Sequence, residues 1–77
     1  MIRLFYFAGL RELTGVAEEK AALAGQTVEG LWQWAEAKYP GIRNGSVRVA
    51  VNEEYALAND ILQDGDTVAF IPPVSGG

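Results

Sequence analysis

The stretch Thr67-Val68-Ala69-Phe70-Ile71-Pro72-Pro73-Val74-Ser75-Gly76-Gly77 decides how the chain is read. Five strand-forming residues run into two prolines and then into a thin tail ending in two glycines. Proline has no N–H to give a sheet ladder, so pairing is expected to stop at Pro72. Pro73 keeps the chain stiff and extended as it leaves the body. From Pro72 to Gly77 the tail reaches about 20 Å at full extension. Gly76 and Gly77 carry no Cβ, so a narrow channel can admit their backbone. With glycine at about 7% of residues, chance alone supplies such a pair about once in 200 chains, so the pair by itself is a weak signal. Its placement, after a strong strand and a rigid exit, strengthens it. The expectation is a small rigid body, residues 1–71, that presents its own C-terminal carboxylate at Gly77 on an extended tail, residues 72–77.

At 77 residues, the chain has room for one domain with one modest core. The hydrophobic fraction of 49% with 21% charged residues is that of an ordinary soluble protein. No apolar run approaches the ~20 residues that a membrane helix needs. The N-terminus reads as a strand and lacks signal-peptide architecture, so a cytoplasmic location is the default expectation. A net charge of −4 argues against nucleic acid, which requires a basic face.

The absent residues are equally informative. Without cysteine there is no disulfide, zinc knuckle or thiol chemistry, and without histidine the commonest general base is missing. No glycine-rich phosphate loop follows a strand. Glu18-Glu19 and Glu53-Glu54 are the only adjacent acids, and neighbours on a strand point to opposite faces. These pairs, with Lys20 and Lys38, read as solvated surface charge. A self-sufficient active site is not expected, and no metal or cofactor site is.

Working back along the chain, Ile2 to Ala8 alternates as a strand, with Ile2, Leu4 and Tyr6 on one face and Arg3, Phe5 and Phe7 on the other. Leu10 to Thr14 forms a short helical turn capped by Gly15. Val16 to Leu23 reads as a charged edge strand. Thr27 to Tyr39 is the one good helix, with Thr27 as N-cap and Val28, Leu31, Trp32, Ala35 and Tyr39 on one stripe. Trp34 falls about 120° from that stripe, at the rim. Pro40-Gly41 stops the helix, and a loop follows with a turn at Asn44-Gly45. Ser46 to Val51 is a strand with Val47, Val49 and Val51 inward and Arg48 and Ala50 outward. Asn52-Glu53 turns into a short strand at Tyr55 to Leu57, and Asp60 to Leu62 reads as one helical turn. Asp64-Gly65-Asp66 turns into the last strand, with Val68 and Phe70 inward.

The order is strand, strand, helix, strand, short strand, strand. This predicts an α+β fold with one main helix on one face of a mixed sheet, in β-grasp (ubiquitin-like) order. In that arrangement the first and last strands are central neighbours. Phe5, Phe7, Ala69 and Ile71, with Tyr55 nearby, then gather on the face away from the helix, as an apolar patch suited to a protein partner.

Several motifs together resemble the family of molybdopterin synthase small subunits, which are ubiquitin-like sulfur carriers. They are Ile2 to Ala8 followed by Leu10-Arg11-Glu12-Leu13, the Val51-Asn52 step, Asp64-Gly65-Asp66 with Val68-Ala69-Phe70, and Pro72 to Gly77. The resemblance runs the length of the chain; around the helix it is one of pattern alone. It implies that an activating enzyme uses ATP to adenylate Gly77, which then becomes a thiocarboxylate. It further implies that Pro72, Pro73, Val74, Ser75 and Gly76 enter a pocket of a large catalytic subunit, within a heterotetramer. The sulfur would go to a pyranopterin precursor of the molybdenum cofactor dithiolene. The positions matching the family's docking surface are Phe7, Tyr55 and Ile71, with Tyr55 departing from the aliphatic residue expected there. The resemblance implies no cofactor on this chain and no catalytic side chain of its own. Related carriers for thiamin or tRNA thiolation, and modifiers joined to lysines, share the Gly-Gly end. A plain interaction module with an inert tail is the third reading.

Overall fold

The N-terminal alternation becomes strand β1, Ile2–Tyr6, in the computed structural model, which describes residues 1–72. Ile2, Leu4 and Tyr6 are fully buried, whereas Arg3 is exposed and Phe5 half-buried. A short helix follows (α1, Gly9–Thr14), ended by Gly15 in the left-handed region at φ 81°. Only a residue without a Cβ adopts that conformation without strain.

The second strand, β2, is Glu18–Ala21, shorter than the expected 16–23. Local bonds explain the loss. The Thr14 hydroxyl donates to the Val16 carbonyl at 2.9 Å and accepts from the Val16 N–H at 3.3 Å. At the other end, the Leu23 carbonyl accepts from Gln26 N–H in a turn at 3.0 Å. Backbone groups satisfied within a turn are not available to a ladder.

Helix α2, Val28–Lys38, is the main helix. The Thr27 hydroxyl caps it by accepting from Gly30 N–H at 3.0 Å. Two further N–H groups of its first turn would otherwise lack partners. Val28 donates to the Asp60 carbonyl and Glu29 to the Ala58 carbonyl, both at 2.9 Å. This corrects the expectation of a helical turn at Asp60 to Leu62. That segment is extended enough for Ile61 to bridge with Thr27, and the Asp60 and Leu62 carbonyls accept from Val28 and Gly25 instead of from a turn of their own.

Strands β3 (Arg48–Val51), β4 (Glu54–Tyr55) and β5 (Thr67–Ile71) complete one sheet, ordered β2-β1-β5-β3-β4. Both β3 and β4 are shorter than the sequence suggested. β1 and β5 run parallel and the other pairs antiparallel. This is the mixed α+β, β-grasp arrangement expected. Pairing ends at Ile71, where Pro72 removes the next donor.

The core lies between α2 and the inner face of the sheet. Tyr6 stacks on Phe70 at 5.3 Å, and Trp32 meets Phe70 edge-on at the same separation. Val28, Leu31 and Ala35 are buried as expected, and Trp34 packs at the rim. Val51, expected in the core, is only half-buried. It sits beside the two-residue edge strand, and its neighbour there is Glu54. Four further residues, not expected in the core, join it: Leu10 from α1, and Leu23, Ile42 and Leu62 from connections.

Candidate functional site

The open face of the sheet carries the site, and strand register builds it. One cross-strand row runs Glu18–Phe5–Ala69–Ala50–Tyr55 across all five strands. Residues opposite each other in a ladder share a face, so two aromatic rings flank two alanines. The alanines leave a low floor, and Phe5 and Tyr55 stand as walls. The result is an apolar hollow of about 540 Å³, which Phe7 and Ile71 extend towards the tail and Thr67 and Glu53 border.

The expected docking residues therefore come together. Phe7 is 48% exposed and Tyr55 62% exposed, and Ile71 is half-buried beside them. Phe7 lies just beyond β1, in the turn before α1. Pro72 is half-buried where the chain leaves the sheet next to this hollow. Pro73, Val74, Ser75 and Gly76, assigned to partner insertion, and Gly77, assigned to the chemistry, lie outside the described residues.

Two side chains at this face had no role in the sequence reading. The guanidinium of Arg48 lies over the Tyr55 ring, 4.4 Å from its centroid, and that of Arg3 over the Phe5 ring at 5.2 Å. Arg3 is also paired with Glu18 at 3.3 Å. The outward alternation of Arg3 and Arg48 was legible; their contact with an aromatic ring depends on cross-strand register.

Lys38 is an exposed surface charge as expected, but the reading of Glu19 as solvated charge is corrected. Glu19 shares the inner row with Leu4, at the edge of the sheet. It accepts hydrogen bonds from the Tyr6 hydroxyl at 2.6 Å, the Tyr39 hydroxyl at 2.5 Å and the Lys38 ammonium at 2.8 Å. Partial burial pushes its pKa up, but the bonds from Lys38, Tyr39 and Tyr6 outweigh this and hold it below the usual carboxylate value. Burial, with Glu19 alongside, raises the Tyr6 phenol well above its ordinary range. This cluster fastens the β2 edge to the last turn of α2, on the side of the sheet away from the hollow. Glu18, by contrast, points outward and is exposed as expected.

Among the described residues, no group of three or more His, Cys, Asp or Glu side chains is placed to hold a metal ion. None of the described helices is long and apolar enough to cross a membrane. The arrangement offers an exposed apolar hollow next to the end of β5, and among the described residues that line it Glu53 is the one acid.

Comparison with known proteins agrees with this geometry. The sequence pattern of the ThiS family matches residues 4–77. The chain is 38% identical to the molybdopterin synthase sulfur carrier subunit of Escherichia coli (strain K12), with all of both chains covered. It is 36% identical to the subunit of the same name from Homo sapiens, covering 99% of this chain and 93% of the human one. In three dimensions it is similar to a Pyrococcus furiosus protein described as a molybdopterin converting factor subunit 1. That match has a TM-score of 0.86 and 31% identity, and covers 95% of this chain and 97% of the other.

Proposed function

The chain belongs to the ThiS family, and from that premise we propose that it is the sulfur carrier subunit of a molybdopterin synthase. The observation that carries this is likeness over the whole length to relatives of that name, at 38% and 36% identity. The apolar hollow beside the tail exit supports it, because a carrier that lacks catalysts must be held by partners that have them.

The chemistry follows from the chain's own composition. With no cysteine, sulfur cannot ride as a persulfide, and the Gly77 carboxylate is the place for it. A carboxylate resists nucleophiles because it is anionic and has a poor leaving group. In the proposed scheme, one carboxylate oxygen attacks the α-phosphorus of ATP on an activating enzyme, and pyrophosphate leaves. Sulfur at the sulfide level then adds to the acyl-adenylate carbonyl and AMP departs, leaving the thiocarboxylate and splitting one hard step into easier ones. The thiocarboxylate formed is carried to the large subunit. There the tail inserts, and the thiocarboxylate sulfur attacks a carbon of the pterin precursor and displaces an oxygen leaving group. Water then cleaves the resulting acyl–sulfur bond, leaving sulfur on the pterin and restoring the carboxylate. The hollow formed by Phe5, Phe7, Ala50, Tyr55, Ala69 and Ile71 holds the body so that the tail is aimed. ATP is a substrate of the activating enzyme, and this chain holds no cofactor.

The test is intact mass after isolation from cells. The expected result is a fraction of chains heavier by the replacement of one oxygen with sulfur, assigned to Gly77 by fragmentation. In parallel, Phe7→Ala and Ile71→Ala should each weaken binding to the large subunit by about tenfold or more, as interface anchors do. A lysine adduct in place of the sulfur-bearing species would identify a protein modifier and overturn the proposal.

A further inference from the structure

Among the described residues, four cations lie against aromatic rings: Arg3 on Phe5, Lys38 on Trp34 and Tyr39, Arg43 on Trp32, and Arg48 on Tyr55. Three of them also hold a carboxylate. Arg3 pairs with Glu18 at 3.3 Å, Lys38 with Glu19 at 2.8 Å, and Arg43 with Glu29 through two bonds of 2.6 and 2.7 Å. Arg48 differs. Among the described residues its guanidinium has neither an ion-pair partner nor a side-chain hydrogen bond, although its approach to a ring, 4.4 Å, is the closest of the set.

Its position gives this meaning. Arg48 is the register partner of Ile71 on the open face, and it covers Tyr55, one wall of the apolar hollow. Any protein that docks on Phe7, Tyr55 and Ile71 must take the Arg48 guanidinium out of water. A cation buried without a counter-charge is strongly unfavourable, and a ring face offsets only part of that loss. Contact with the Tyr55 ring places the guanidinium at the wall of the hollow, and a guanidinium can offer two N–H groups to both oxygens of a carboxylate.

We infer that the docking partner places an Asp or Glu carboxylate on Arg48 while an apolar side chain fills the hollow between Phe5 and Tyr55. The inference rests on the docking role proposed above and commits to the large subunit as the occupant. It also gives Arg48 a task that the apolar hollow cannot perform. Hydrophobic contact is non-directional, whereas one bidentate ion pair fixes rotation about the contact and so the direction in which the tail leaves. On a chain of net charge −4, an unpaired cation against the wall of the hollow also marks where an acidic group is accepted.

The experiment measures affinity of the carrier for the purified large subunit across a range of salt concentrations. The variants are Arg48→Met, Arg48→Glu and Phe7→Ala, with thermal melting of each to verify folding. Arg48→Met keeps the apolar stem and removes the charge. It should bind about tenfold more weakly at low salt and converge towards wild type as salt rises. Arg48→Glu should bind more weakly still, and reversal of one acidic residue on the large subunit should restore it. Phe7→Ala should lose affinity to a similar degree at all salt concentrations. If Phe7→Ala binds weakly while Arg48→Met binds as tightly as wild type or tighter, the ion pair is refuted and the docking face stands. If Phe7→Ala and both Arg48 variants all bind as wild type, the docking face itself is misplaced. Self-association of the isolated carrier that Arg48→Glu abolishes would make a second copy the occupant and overturn the assignment to the large subunit.

Discussion

At the scale of single residues, the functional surface is shaped by what is small. Ala50 and Ala69 create the hollow by failing to fill it, and larger aromatic neighbours bound it. The tail is expected to work by the same logic. Gly76→Val should abolish sulfur loading, because a branched side chain restricts the backbone and blocks a narrow channel. Adding one residue after Gly77 moves the reactive carbon by about 3.5 Å. A misplacement of even ~1 Å can cost about 10²-fold in rate. The core is drawn from residues 2–70, and both changes fall beyond them in sequence, so the melt should shift by no more than about 0.5 kcal/mol of stability. ATP-dependent loading by the activating enzyme, followed by mass spectrometry, reads the outcome. Normal loading of the extended chain at its new end would remove Gly77 from its assigned role.

At the scale of elements, two junctions carry unusual chemistry. The β3–β4 hairpin turns on Asn52 and Glu53, both at positive φ, 51° and 72°. Positive φ at both central residues of a two-residue loop is the type I′ signature, which favours Asn followed by Gly. Asn52 suits its place and does more. Its side chain donates to Asp66 at 2.9 Å and accepts from the Thr67 N–H at 3.0 Å, tying the hairpin to the start of β5. Glu53 is the strained member. Glu53→Gly should stabilise the fold by up to about 1 kcal/mol, a few degrees in Tm, and a lower Tm would show that the Glu53 side chain has a role the geometry does not reveal. The other junction is Glu19 between Tyr6, Tyr39 and Lys38. The folded-state pKa of Glu19 is depressed, so its contribution is present above the ordinary value of 4.5 and is lost as pH falls through the lower folded value. The raised Tyr6 pKa acts in the opposite direction: its contribution is present below 10.0 and is lost as pH rises above that. Glu19 is only 16% exposed, and Glu19→Gln should cost about 1–3 kcal/mol at neutral pH. It should also flatten the acid limb of stability against pH. Denaturant titrations at several pH values check both, and an unchanged acid limb would assign the pH dependence to other carboxylates.

At the scale of the whole molecule, one helix and one sheet face supply most of the core. Leu31 is fully buried at the centre of that contact. Leu31→Ala should cost about 2–5 kcal/mol, a large share of the ~5–15 kcal/mol that holds a domain together. A loss below about 1 kcal/mol in denaturant titration would contradict the central place of α2. Because α2 covers only the inner face, the outer face is left for a partner. The parallel pairing of β1 with β5 brings Phe5 beside Ala69 in the middle of that face, two residues before β5 ends at Ile71.

Local chemistry made much of this legible from sequence. Alternation in Ile2 to Tyr6 and in Thr67 to Ile71, the stripe of α2, the Thr27 cap and the prolines at 72 and 73 each act over a few residues, so they can be read without the fold. The gathering of Phe7, Tyr55 and Ile71 was legible too, once the order of elements named the sheet. What only the tertiary structure decided involves residues distant in sequence. Ile42 and Leu62 enter the core from connections that have no period to announce them. Asp60 and Ala58 give their carbonyls to α2 because its first-turn N–H groups need partners. Glu19 became a shared acceptor because register placed it inward at an edge, within reach of two phenols and an ammonium. Arg48 lies on Tyr55, seven residues further along the chain, because the β3–β4 turn brings the two strands side by side. Register is a property of paired strands, and no single segment contains it.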